Sequence, residues 1–166
     1  MTVLKLIGGL GLFGACLGIG RYYSHRLYRR VALLNAAQSL CRYAASQIEY
    51  GCTPFRDIWR TACTLPQFEI FPFLKDADTA VWKDVIRKGF SLYESRELTT
   101  ADVCVLVEWV QGLGGSDVQG QIEHAARCSE RITQELVQAR ERADKAGKLY
   151  PMLGGLCGAA AVMLIW

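Results

Sequence analysis

Histidine is nearly absent: His25 and His124 are the only two in 166 residues, and they lie far apart in the chain. No H-E-x-x-H, no C-x-x-C, no metal-spaced Cys/His cluster and no G-x-S-x-G occurs. Zinc hydrolase, zinc-finger, thioredoxin-type and α/β-hydrolase chemistry are therefore excluded. Proline is limited to Pro54, Pro66, Pro72 and Pro151, which leaves long stretches free to be helical. Charge is missing from both ends: apart from Lys5, no charged residue precedes Arg21 and none follows Lys148. The other 34 charges fall in the 128 residues between, about 27% of that segment, as in an ordinary globular domain.

The two apolar ends, 3–20 and 149–166, are each 18 residues long. At 1.5 Å per helical residue each reaches roughly 27 Å, and the expectation is two transmembrane helices. Lys5 is near enough to the end to snorkel, and Trp166 is a candidate interfacial anchor. A cleaved signal peptide is the rival for the first stretch, and Phe13-Gly14-Ala15-Cys16 faintly resembles a lipoprotein cleavage box. Signal peptides carry their positive charge before the apolar run, however, and here Arg21, Arg26, Arg29 and Arg30 follow it. Arg140, Arg142, Lys145 and Lys148 precede the second stretch. Both flanks give one orientation, a two-pass cell-membrane protein with 21–148 in the cytoplasm. Seven cysteines, Cys52 among them, are an odd number without close pairs and are expected as free thiols of a reducing compartment.

Between the ends the apolar periodicity is helical throughout, and no stretch alternates long enough for a strand. The predicted helices cover 21–50, a short one from Pro54 to about 65, 79–93, one opened by Thr99-Thr100-Ala101-Asp102, and a long one after Asp117. In the last, Val118, Ile122, Ala125, Ser129, Ile132, Leu136, Ala139, Ala143 and Ala146 recur at steps of four and three, a seam for packing in a bundle. The fold class is all-α, an antiparallel helical bundle flanked by N- and C-terminal transmembrane helices, with the bundle over 21–148.

Residues 21–42 carry five arginines and no acid, 43–126 carry seven bases against twelve acids, and 127–148 carry six against four. The expected picture is a basic collar at a lipid bilayer and an acidic distal lobe, which speaks against nucleic-acid binding. Catalytic candidates are few. Gly8-Gly9-Leu10-Gly11 lacks the Gly-Lys-Ser/Thr of a phosphate loop, Asp76 and Asp78 have no partner base, and a cysteine beside His124 reads more simply as a buried thiol and a structural histidine. No catalytic residue, metal site or cofactor is assigned. Gly14-x-x-x-Gly18 and Gly154-x-x-x-Gly158 put small residues one turn apart and are candidate helix-packing faces. Gly147 and Pro151 are a candidate kink.

Three segments carry a resemblance: Ile48-Glu49-Tyr50-Gly51-x-Thr53-Pro54, Leu113-Gly114-x-x-Asp117-x-x-x-Gln121, and Lys148-Leu149-Tyr150-x-x-Leu153-Gly154-x-Leu156-x-Gly158. In this order, in a chain of this length, they resemble stage III sporulation protein AB of endospore-forming Firmicutes. Phe55 stands where that family more often carries an aliphatic residue. The resemblance implies a likeness to the cytoplasmic domains of F-type inner-membrane platform proteins of type II secretion and type IV pilus machines. It implies a non-enzymatic platform in the mother-cell membrane, part of the mother cell-to-forespore channel. It further implies as partners a cytosolic secretion-type ATPase of the same operon and other channel membrane proteins, with a homo-oligomer open. Glu49, Gly51, Thr53 and Pro54 would form one helix–helix corner, and Leu113, Gly114, Asp117 and Gln121 another, by turn formation and capping or by partner contact. The alternatives are a membrane-anchored adaptor and a secretion-system platform protein unrelated to sporulation.

Overall fold

A computed structural model of the chain describes residues 2–51, 53–77, 81–94 and 97–165. Six α-helices and two short 3-10 helices follow one another: α1 (Thr2–Gly51), α2 (Phe55–Ala62), 3-10 turns at Pro66–Phe68 and Pro72–Ala77, α3 (Trp82–Glu94), α4 (Thr100–Gly112), α5 (Val118–Ala146) and α6 (Leu149–Ile165). No strand occurs among the described residues. Cys52, Asp78, the Thr79 start of the expected third helix, the Lys5 side chain and Trp166 lie outside the described residues.

The transmembrane expectation for 3–20 and 149–166, and with it the two-pass membrane localisation, is overturned. Among the described residues no helix is long and apolar enough to cross a membrane. The first apolar stretch runs without interruption into the arginines of α1.

The chain divides into two compact units, one of Met1–Val31 with Gln138–Trp166 and one of Ala32–Val137. In the first, α1 and α6 lie antiparallel. A Cβ added to Gly154 would stand 2.6 Å from the Cys16 carbonyl oxygen, one on Gly20 2.5 Å from that of Tyr150, and one on Gly158 2.8 Å from the Phe13 ring. These glycines let two backbones approach more closely than side chains would permit. The Ser24 hydroxyl closes the pair by donating to the Gly147 carbonyl at 2.7 Å. Where a kink was expected at Gly147 and Pro151, α5 ends at Ala146 and α6 begins at Leu149. Pro151 is thus in the first turn of α6, where a backbone N–H has no intrahelical acceptor to lose.

In the second unit the core is aromatic. Trp59, Trp109, Phe68, Phe71 and Phe90 are all fully buried. Trp59 meets Trp109 edge-to-face at 6.1 Å, and Phe71 meets Phe90 in the same way at 5.4 Å. The segment 66–78, which its turn signals mark as a loop or a short turn of helix, supplies Phe68 and Leu74 to this core from the two 3-10 turns and Phe71 from between them. α4 starts with a reciprocal capping box: the Thr99 hydroxyl accepts from the Asp102 N–H at 3.3 Å, and the Asp102 carboxylate accepts from the Thr99 N–H at 2.8 Å. Within this unit α5 buries Ala125, Cys128, Ile132 and Leu136, whereas Ile122 and Ser129 of the expected seam are half-exposed.

Candidate functional site

The first predicted corner forms as α1 gives way to α2. α1 ends at Gly51, and the Thr53 N–H donates back to the Gln47 carbonyl at 3.4 Å. Thr53 does not cap α2; Pro54 itself occupies the cap position, with no side-chain hydrogen bond, and its carbonyl accepts from the Asp57 and Ile58 N–H groups. Glu49 is exposed and Tyr50 is 84% exposed. A ring that open contributes little to the packing of its own unit.

The second corner joins α4 to α5. Leu113 is buried and extended, and Gly114 follows with φ +74°, a left-handed turn that costs a side-chain-bearing residue about 1–2 kcal/mol. The Gln121 side chain, 9% exposed, then ties the corner together. Its Oε1 accepts from the Gly114 N–H at 3.3 Å, and its Nε2 donates to the Ser116 carbonyl at 2.9 Å. The Asp117 carboxylate accepts from the Gly120 N–H at 3.1 Å, the bond of an N-cap three residues into a helix.

The two corners meet. A Cβ on Gly114 would lie 3.3 Å from Cε2 of Phe55, the first residue of α2. Phe55 stacks on Trp82 at 5.2 Å, and the Lys83 ammonium lies 5.6 Å from the Trp82 ring centroid. In sequence Phe55 is one of the apolar residues of the second helix and a departure from the family pattern, and no spacing rule pointed to it as the residue joining the corners. Within this unit α1 runs antiparallel to α5: Gln38 donates to Thr133, and the Cys41 thiol to the Ala125 carbonyl at 3.4 Å. That register carries the end of α1, with Glu49 and Tyr50, alongside the start of α5, where Asp117 and Val118 are also exposed. One end of the unit thus presents acidic and apolar groups from both motifs.

The histidine–cysteine pairing is structural. His124 Nε2 lies 3.1 Å from the Trp109 carbonyl and 3.8 Å from Cys128 Sγ. A nitrogen that donates to a carbonyl has no lone pair with which to take a thiol proton. Burial raises the Cys128 pKa, and it pushes Cys41 up to about 12 with a smaller contribution from Cys128, so both sulfurs remain neutral thiols at neutral pH. Among the described residues no group of three His, Cys, Asp or Glu side chains is placed to hold a metal ion.

The glycine faces differ from each other. Gly154 and Gly158 lie against Cys16 and Phe13 of α1, whereas Gly14 and Gly18 have open space where a Cβ would be. The counterpart on α1 is Gly20, which the small-x-x-x-small spacing did not single out.

Comparison with known proteins places these features. The family described as stage III sporulation protein AB matches residues 5–166, nearly the whole chain. No curated protein and no solved structure is significantly similar to it.

Proposed function

The chain belongs to the stage III sporulation protein AB family, a sporulation family, and on that footing we propose that it is a non-enzymatic helical scaffold of the channel between mother cell and forespore. It holds a secretion-type ATPase encoded beside it, through the end of the second unit where α1, α2 and α5 turn. The observation that carries this reading is the approach of Phe55, just after the first corner, to Gly114 of the second, together with the exposure of Tyr50 at the end of α1. A ring 84% open to water beside Glu49 is available for contact with another protein, and tyrosine is enriched where partners bind. The segment 43–126, with twelve acids against seven bases, adds a negative field that would steer a basic partner surface toward it.

The test is co-purification of the full chain with that ATPase at low and at high salt. The expected result is co-elution that weakens as salt rises, and that is lost when Tyr50→Ala and Glu49→Lys are combined. Failure to co-elute at either salt, with both proteins folded, overturns the proposal.

A further inference from the structure

On the second unit, α5 is flanked on two sides. α1 contacts it at Ala125 and Thr133, and α4 contacts it through His124 on Trp109 and Arg131 on Glu108. On a third flank, among the described residues, an open groove of about 810 Å³ runs between α1 and α5. Its floor is made of small residues, Ala45, Ala125, Ala126 and Ser129, and Ile122 and Val137 stand near its two ends. Val137 is 49% exposed. Ile122, Ala126, Ser129, Thr133 and Val137 recur at steps of three and four, which makes them a second stripe beside the buried one. A small-residue floor lets a third helix approach to the 8–10 Å axis separation of packed helices.

The rim identifies the occupant. It carries one cation, Arg42, and one anion, Glu130, both exposed and both without a hydrogen bond or ion pair among the described residues. One charge of each sign on facing helices is a self-complementary pattern, as a two-fold contact requires. The stripe from Ile122 to Val137 spans about 22 Å at 1.5 Å per residue, with its midpoint at Ser129–Glu130. Cys41 bonds at the level of Ala125, so Arg42 lies on the N-terminal side of that midpoint along α5. A two-fold axis through the midpoint therefore sets Arg42 of one copy about 6 Å along the helix from Glu130 of the other, within reach of a flexible arginine.

We propose that this groove binds a second copy of the chain, α5 against α5, with Arg42 of each copy paired to Glu130 of the other. The contact is independent of the ATPase and leaves the end of the unit bearing Tyr50 free.

The experiment uses the charge pattern itself. Sedimentation velocity of the full chain should show concentration-dependent dimerisation, weakened by salt. Arg42→Glu alone and Glu130→Arg alone each set like charges face to face and should weaken the dimer by about tenfold or more. An equimolar mixture of the two single variants should recover a dimer, because every pair across the mixed interface is then opposite in sign. The double variant Arg42→Glu/Glu130→Arg should recover it as well. Ala126→Trp, which fills the floor, should abolish it. A monomer at every concentration overturns the proposal. So does a dimer indifferent to these substitutions, or a mixture that fails to recover while each variant keeps its helical circular dichroism.

Discussion

Substitution of Gly114 by alanine tests whether the α4–α5 corner is held by its backbone. Gly114 has φ +74°, and its N–H is bound to Gln121. An alanine there costs about 1–2 kcal/mol for the left-handed conformation, and its Cβ would stand 3.3 Å from the Phe55 ring, which must give slightly. Against this, alanine narrows the unfolded ensemble by about 0.4–1 kcal/mol. The net expectation is a loss of about 1 kcal/mol, and in a chain of this length each kcal/mol lowers Tm by about 2–4 °C. Gly115→Ala is the control: Gly115 has no positive φ and its nearest neighbour is 3.5 Å away, so the change should stay within about 0.5 kcal/mol. Gly114→Asn separates the two causes, because asparagine tolerates the left-handed region but still carries a Cβ toward Phe55. If backbone strain dominates, Gly114→Asn costs less than Gly114→Ala; if the ring contact dominates, the two cost the same. A Gly114→Ala melting curve at or above the parent's would refute the claim that this turn sets the corner.

Other predictions follow from the same geometry. Asp117→Ala removes the acceptor of the Gly120 N–H at the start of α5 and should cost about 1 kcal/mol in denaturant unfolding; an unchanged midpoint would remove Asp117 as a cap. Gly154→Ala drives a Cβ to within 2.6 Å of the Cys16 carbonyl and should cost about 1–3 kcal/mol, read as faster amide exchange in α6. Gly14→Ala, with open space beside it, should leave that exchange unchanged or slower. The Cys41 thiol has its pKa raised from 9.0 to about 12 by burial, so between those values the unfolded chain loses a proton that the folded chain keeps. Its contribution is complete below pH 9 and declines as pH rises toward 12, by up to about 1.4 kcal/mol per unit. Stability of Cys41→Ala should therefore fall less steeply than the parent's between pH 9 and 11, and parallel curves would contradict the assignment.

Much of the helical layout was legible because it depends on neighbours in sequence. The Thr99–Asp102 box and the Asp117 cap each involve groups three residues apart, Gly51 marks a stop by its own residue type, and the periodic stripes marked where helices run. The places where local reasoning failed are instructive. Thr53 has the chemistry of a cap, yet Pro54 takes the position, and the Thr53 N–H donates back to the Gln47 carbonyl. The turn signals of 66–78 marked a loop or a short turn of helix, but did not show that Phe68 and Phe71 would be core. The ends looked like membrane spans on their lack of charge, but among the described residues no helix is long and apolar enough to cross a membrane.

What the sequence determined by itself is what spacing along the chain controls: helix periods, caps, breaks, and the separation of charge into basic and acidic segments. Only the tertiary structure decided which residues from distant segments share a surface. Phe55 reaches Gly114 across 59 positions, and Gly20 rather than Gly14 or Gly18 meets α6. The flank of α5 left open beside Arg42 and Glu130 is likewise a product of packing. Helical periodicity records that a side chain is apolar and on which face it lies, but not which neighbour will cover that face. That depends on the angle and distance at which helices cross, which is set by the summed shapes of side chains on both partners.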